Sequence, residues 1–490
     1  MKIKNGSRQE ENGWIRISIY GSPFARGKAH GYLVAKELKQ IIRMLDFNLM
    51  NSYGVDRIVF REIVTELYGT QIRERYPEYY EEMKGITEGV NMGGTKVSIE
   101  DIILWNCYYS LEYLISYLPD LVNKNDKLRE KYGMIFPIGK KVSSSMEGGA
   151  KDRCTGFMAV GDYTKDGSIV CGHNTFDNFL DAQYGNVLLD IKPDKGNSII
   201  MQTSPGCIAS GTDYYVTSNG FICTETTLGG FQAFELKDPI CCRIRKAMQY
   251  AKTLDECDNI LSDGNGGDYA NCWFIGDTKT NTIMYIELGL KYKKVEKKTN
   301  GYFIGYNAPT DPRIRNLECS NTGHNDIRRH QGARRVRLTQ LLEENKGKLD
   351  IETGEKILAD HYDVYLNKIN PCSRTCCSHY ELDDRAFMSQ AGRPVPYQPR
   401  GAMDGIVTDT NLAKKMGLVA RWGTSCGTPF LAKQFCERNI QWNDLEPYLI
   451  DRLQQHWTTF VVSNNKKNSR KKPNNSINHK YTRKNKYTKK

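Results

Sequence analysis

The sequence predicts an α+β protein in which a mainly helical N-terminal segment precedes a strand-rich region. Two observations carry this. Apolar residues recur at helical spacing through residues 30–118. From Cys154 onward the texture changes to short apolar runs bounded by Gly, Asn and Asp turn signals. Runs of helices and runs of strands, rather than strict alternation, point to α+β layering. No repeat of fixed period interrupts the pattern.

Taken in order, WIRISIY (14–20) alternates and reads as an edge strand. GSPFARGKAHG (21–31) is a glycine-punctuated turn into a helix over 30–50, and helical patterns follow at 56–67 and 71–92. The stretch IILWNCYYSLEYLISYL (102–118) comes nearest to a membrane span, but Glu112 and its tyrosines make it a buried helix, part of a pattern over 99–118. Residues 119–152 are polar, with Gly, Ser and Lys clusters, and read as an exposed linker of the kind proteases cut. Strands are expected in TGFMAVGDY, SIVCGHNTF, GNVLLDIKP, SIIMQTS and DYYVTSNGFICTET, with KDGS (165–168) and SNG (218–220) as hairpin turns. Helices at 239–252 and 254–262 are followed by strands in ANCWFIGD, TIMYIELG and GYFIGYN, then a charged helix over 332–345.

Composition bounds the rest. At 490 residues, 39% hydrophobic and 26% charged, the chain can bury a sizeable core, which excludes wholesale disorder. The net charge is +12, yet residues 463–490 hold 11 Lys/Arg and no Asp/Glu, leaving +1 on the body. That tail, rich in Asn and Ser, reads as a solvated segment that could make weak contact with an anionic surface. The start, MKIKNGSRQEENGW, has no apolar run behind its positive residues, so no secretory signal is read and the default compartment is cytoplasmic. Fifteen scattered cysteines, an odd number, fit reduced thiols.

Several chemistries are absent at the motif level: no GxxxxGK[ST], no HExxH and no GxSxG. PCSRTCCSH places Cys372, Cys376, Cys377 and His379 within eight residues. CxxxCC is not a common zinc spacing, and adjacent cysteines do not readily share one tetrahedral ion, so no metal and no organic cofactor is expected.

A second constellation is more informative. Asp152-Arg153-Cys154-Thr155 sits where the polar linker meets the first strand, and Gly172-His173-Asn174-Thr175-Phe176-Asp177 follows about twenty residues on. If the chain were cut before Cys154, that residue would gain an α-amine of intrinsic pKa roughly 7.7–8.0. It would then be nucleophile and general base in one. The KDGS hairpin would return His173 to Asp177 beside it, and burial next to a charged His173 would lower the amine further. On spacing alone Cys154 reads more readily as a buried strand cysteine than as a nucleophile; His173 also has the reading of a hairpin histidine bonded by backbone, and Asn271 that of a strand cap.

The segments RCTGF, GHNTFDN, SPGCIASGTDYYVTSNGFICTETTLG, YANCWFIGD, PCSRTCCSH and GAMDGIVTD, in that order, resemble the phospholipase B-like proteins. These are related to the penicillin acyltransferase-type cysteine amidases. The resemblance spans about 14–460. It implies the N-terminal nucleophile (Ntn) hydrolase fold, a four-layer αββα sandwich matured by autocatalytic cleavage before the nucleophile. It implies Cys154 as nucleophile, the Arg153–Cys154 bond as cleavage site and His173 as the HNT histidine. Asn271 matches the oxyanion donor, Thr226 a pocket threonine, and Asp177 an acid found in the related amidases. His361, Arg374 and His379 stay outside this catalytic set. The implied organisation is a helical segment 1–118, an exposed linker 119–153 ending at the cleavage site, a catalytic region 154–460 and a basic tail 461–490. The implied activity is hydrolysis of acyl ester or amide bonds in lipid degradation. Members of the family are usually lysosomal or secreted, in contrast to the default compartment. The rival readings are an amidase or acyltransferase on small amides or peptides, and a non-catalytic scaffold with an anion-binding tail.

Overall fold

Three strands open the chain, β1 (Lys2–Ile3), β2 (Gly6–Glu11) and β3 (Trp14–Gly21). A helical stretch follows from Pro23 to Tyr132. The strand-rich region begins with β4 (Cys154–Val160), β5 (Val170–Asn178), β6 (Val187–Pro193), β7 (Ile199–Thr203), β8 (Tyr214–Thr217) and β9 (Phe221–Thr227). Helices Ile240–Tyr250 and Leu254–Ser262 lead to β10 (Asn271–Asp277), β11 (Thr282–Leu288), β12 (Lys293–Lys298) and β13 (Gly301–Gly305). Helices His330–Glu344 and Ile351–Leu358 precede a small hairpin, β14 (Tyr362–Asp363) and β15 (Lys368–Ile369). Then come β16 (Arg400–Ala402), β17 (Asp404–Asp409), β18 (Gly417–Trp422) and β19 (Thr458–Val461). This computed structural model describes residues 1–140, 154–320, 322–384 and 395–462. Residues 141–153 of the predicted linker, Arg153 among them, and residues 463–490 of the predicted tail lie outside the described residues.

Apart from the β14–β15 hairpin, the described strands form two stacked sheets. The first runs β1-β2-β3-β6-β7-β8-β9-β10-β11-β12, antiparallel except for β3 and β6. The second runs β13-β4-β5-β17-β18-β19, with β16 extending the pairing of β5. β4 packs across β9, β10 and β11, so the two sheets meet face to face there. Helices Pro23–Leu33, Ile240–Tyr250 and Leu254–Ser262 cover the outer face of the first sheet. Helices His330–Glu344 and Ile351–Leu358 cover the second, burying Leu338, Leu342, Ile357 and Leu358 against Phe157, Ala159 and Val407. The α+β class and the αββα layering are those the sequence and its resemblance imply.

Four local features differ from the sequence reading. β3 is interior rather than an edge, because β2 and β1 lie outside it and β6 pairs parallel on its other side. β2 carries no apolar alternation (GSRQEE), so its pairing leaves no periodic trace. β12, KKVEKK, is a lysine-rich edge strand, a composition that protects an open edge from further pairing. The first part of the supposed linker is helical, over Leu118–Lys124 and Asp126–Tyr132, with Leu128, Tyr132 and Phe136 buried.

Two devices lock the helical layer. Helices Pro23–Leu33 and Pro77–Met92 cross at Gly27, Gly31, Gly85 and Gly89, where a Cβ would meet the opposing backbone carbonyl at 2.1–2.2 Å. Only glycine permits that approach. Beside the crossing, the buried Glu82 carboxylate accepts from Arg26 Nε (2.7 Å) and from Arg245 Nη1 and Nη2 (3.2 and 3.1 Å). These guanidiniums hold its carboxyl below the ordinary range although burial works against them.

Candidate active site

β4 and β5 carry three of the residues expected at the site. In their ladder Cys154 lies opposite Thr175 and Gly156 opposite His173. Side chains alternate along a strand. Cys154, Gly156, His173, Thr175 and Asp177 therefore face the first sheet, while Thr155, Phe157, Asn174 and Phe176 face the outer helices. Packing agrees. A Cβ on Gly156 would touch Thr226 Cγ2 at 3.5 Å and His173 Cδ2 at 3.6 Å, so Thr226 and His173 border one space between the sheets. Thr226 reaches it because Gly305 opposite has no side chain; a Cβ there would lie 2.3 Å from Thr226 Cγ2.

Cys154 is buried at the first position of β4. Burial pushes its thiol pKa well up, and the negative charges of Glu225 and Asp213 push the same way, while the Phe176 N–H opposes them. The neutral thiol is thus the resting form. The Cys154 backbone is gripped from both sides. Its N–H donates to Asn307 Oδ1 (3.4 Å), and its carbonyl accepts from Arg334 Nη1 (2.5 Å). Arg334, itself buried, also donates to Thr155 Oγ1 (3.0 Å) and through Nη2 to Asn307 Oδ1 (2.7 Å). Asn307, at φ 63°, donates from Nδ2 to the Thr227 carbonyl (2.8 Å). One unbroken set of bonds therefore ties the start of β4 to the end of β9.

Asn271 stands opposite Thr227 in the next ladder, one register step from Thr226. It is fully buried, and among the described residues neither its Oδ1 nor its Nδ2 has a hydrogen-bond partner. An unpaired buried amide is costly, roughly 1–3 kcal/mol, and marks a group available to something outside the fold. Thr226 Oγ1 and both ring nitrogens of His173 are likewise buried without a hydrogen-bond partner among the described residues. Burial lowers His173 to about 3, against the opposing pull of the Glu225 main chain. His173 is a neutral imidazole here and supplies no positive charge. The cation beside Cys154 is Arg334 instead.

Asp177 is buried on the same face of β5, opposite Gly401 of β16, and its Oδ1 accepts from the Asn178 N–H (2.8 Å). The structure thus brings Cys154, His173 and Thr226 to one interlayer space; Asn271, opposite Thr227 at the start of β10, alternates to the other face from Thr226 and connects to that space only through the Thr227 backbone that Asn307 bonds. Asp177 lies beyond the end of β4, whose first residue pairs with Thr175.

Three residues escaped the sequence reading. Asn307 and Arg334 lie 153 and 180 positions from Cys154 and meet it only through the fold. The Asn closing GYFIGYN, a residue type that tolerates left-handed backbone, was the one local hint. Asp404, in GAMDG, accepts from the Thr175 N–H (2.9 Å) and Gln202 Nε2 (2.7 Å), directly behind the residue opposite Cys154. Burial raises its carboxyl to about 6. Tyr269 joins Asp213 and Glu225 through its hydroxyl (3.0 and 3.1 Å). Arg374 pairs with buried Asp363 (2.6 Å) rather than with any of these groups.

The phospholipase B family model matches residues 60–461. Phospholipase B of Crotalus adamanteus is 28% identical over 239 residues, 43% of this chain and 40% of that protein. Putative phospholipase B-like 2 of Rattus norvegicus is 24% identical over 263 residues, 46% of this chain and 44% of that one. An uncharacterized protein of Archaeoglobus fulgidus is 22% identical over 275 residues, 55% of this chain and 42% of that protein. The matched stretch is less than half the length of each relative. Among solved structures, a mutant of the conjugated bile acid hydrolase of Clostridium perfringens overlaps 55% of this chain and 89% of its own, with TM-score 0.30 and 9% identity.

Proposed function

The chain belongs to the phospholipase B family, and on that premise we propose that it hydrolyses acyl ester or amide bonds, with lipid acyl groups as substrate class, through a cysteine nucleophile exposed when the chain is cut before Cys154. The observation that carries this reading is the grip on the Cys154 backbone. A buried Asn307 Oδ1 faces its nitrogen and Arg334 holds its carbonyl, which is the support an N-terminal nucleophile needs once its nitrogen is an amine.

In the uncut chain the nitrogen is an amide, and burial keeps the thiol protonated. After the cut, the α-amine takes the thiol proton and the sulfur attacks the substrate carbonyl, forming the C–S bond. Asn307 Oδ1 accepts one amine N–H, which aims the nitrogen lone pair. The Arg334 guanidinium disfavours the ammonium form, keeping the amine basic yet neutral near physiological pH. The oxyanion takes its hydrogen bond from Asn271 Nδ2, whose unpartnered state in the fold is the reason for assigning it this task. Collapse breaks the bond to the leaving group, which departs with the proton held by the ammonium. Water then adds to the acyl-thioester, giving its proton to the amine, and the acid is released with the thiol restored. His173, neutral and facing the same space, acts as a hydrogen-bonding wall rather than a charged acid.

The test is hydrolysis of a chromogenic acyl ester and of a defined phospholipid vesicle. Alkylation of the thiol and Cys154→Ala should each abolish release of free acid. Hydrolysis that survives both would exclude the cysteine mechanism.

A further inference from the structure

The motif PCSRTCCSH resolves into two separate environments. Cys372 Sγ lies 3.4 Å from Asp363 Oδ2, and Cys376 is buried among Leu338, Ile357 and Leu358 in the outer layer. Cys377 and His379 turn the other way and meet two residues distant in sequence, His361 and Cys426. One ligand atom from each of the four lies within 4.8 Å of all the others. The objection that neighbouring cysteines do not share one ion therefore does not apply, since only Cys377 of the pair joins the group.

The distances fit a metal of definite size. Zn–S of about 2.3 Å and Zn–N of about 2.0–2.1 Å in a tetrahedron give S···N edges of about 3.6 Å. His379 Nε2 lies 3.4 Å from Cys377 Sγ and 3.5 Å from Cys426 Sγ. The His361 and His379 rings are 5.1 Å apart at 62°, and His361 Nε2 is buried with no hydrogen-bond partner among the described residues. His379 Nδ1 is bonded to Glu381 Oε1 at 2.7 Å, the carboxylate support that orients a metal-binding imidazole so that its other nitrogen points at the ion. Cys426 and His361 are partly exposed, which gives an ion a route in.

We propose that His361, Cys377, His379 and Cys426 form a Cys2His2 site for a tetrahedral zinc ion. Four protein ligands leave no open position, so the ion is structural. Its place in the fold gives it a task. Cys377 and Cys426 pack with Phe176 and Ala402 on the outer face of β5 and β16, and the main chain of Phe176 lies beside the Cys154 thiol. The ion would pin the 361–379 loop and the 424–428 loop behind the strand that carries His173.

The experiment is metal analysis of the full-length chain, purified with zinc present and dialysed without chelator, alongside cobalt(II) titration of the metal-stripped protein. The proposal expects about one zinc per chain. It also expects cobalt(II) bands of the tetrahedral two-thiolate type. Cys426→Ser should weaken zinc binding by roughly 10–100-fold or more, whereas Cys372→Ser should bind as the parent does. If Cys426→Ser does not fold, the cobalt spectrum of the parent chain decides. Zinc content near zero with no cobalt bands would overturn the proposal. So would equal binding by the Cys426→Ser chain, or a Cys377–Cys426 disulfide in freshly lysed protein. Metal content is read without reference to hydrolysis, so its failure leaves the hydrolase reading untouched.

Discussion

Replacing Asn307 by Asp keeps the side-chain shape and puts a negative charge where the Cys154 nitrogen now meets a neutral oxygen at 3.4 Å. In chains that begin at Cys154 that nitrogen is the proposed base. A full charge at this distance, with an effective dielectric of about 20, interacts with an ammonium by roughly 5 kcal/mol, or three to four pH units. Arg334 Nη2, 2.7 Å from the same oxygen, neutralises most of the new charge, so a rise of about one unit in the amine pKa is expected. The variant also loses the bond from Nδ2 to the Thr227 carbonyl, a destabilisation of about 1–3 kcal/mol. The assay is the pH dependence of kcat/KM on a chromogenic acyl ester, using chains whose N-terminus is confirmed as Cys154. The limb that rises with pH should move about one unit to alkaline. A lower rate with an unmoved limb would refute the assignment of Asn307 as the partner of the base.

Glu82→Ala would leave the buried guanidiniums of Arg26 and Arg245 without their shared carboxylate, and should cost about 3–5 kcal/mol in denaturant unfolding. Gly27→Ala would place a Cβ 2.1 Å from the Glu82 carbonyl, forcing the two helices apart for about 1–3 kcal/mol. Asp404 holds its proton to about pH 6 in the fold, whereas the unfolded chain releases it near the ordinary value of about 4. Its contribution to stability should therefore fall by roughly 3 kcal/mol as pH rises through that window, and Asp404→Asn should abolish this slope in unfolding titrations. An unchanged slope would show that the carboxyl is not desolvated. Asn271→Ala should lower turnover roughly 100-fold or more with little change in KM if its amide holds the oxyanion.

Strong periodicity made most of the fold legible. The helices near 239–252 and 332–345 and the strands β4 to β11 lie close to where apolar spacing and turn residues placed them. The failures share a physical cause. β2 and β12 are held by ladder hydrogen bonds with few buried side chains, and backbone pairing leaves little trace in residue type. The helices over 118–132 hide in a polar stretch because only a few positions, Leu128 and Tyr132 among them, are buried. At the site, Cys154 and His173 stand out in short motifs at the start of β4 and in β5, Thr226 only through the family resemblance, and the fold brings the three to one space. Arg334 was not legible, since its helix gave no sign that one arginine turns inward to meet a residue 180 positions away. His361 and Cys426 likewise have meaning only beside Cys377 and His379.

The central claim is that Cys154 becomes the first residue of a working polypeptide. Intact mass of the purified full-length chain and of its Cys154→Ala variant, both prepared without proteases and incubated at neutral pH, tests it most directly. The account predicts a parent protein that separates under denaturing conditions into two fragments, the downstream one beginning at Cys154, and a variant that stays whole with the same unfolding midpoint. A parent chain that remains uncut while hydrolysing acyl substrates, or a variant cut at the same bond, would contradict it.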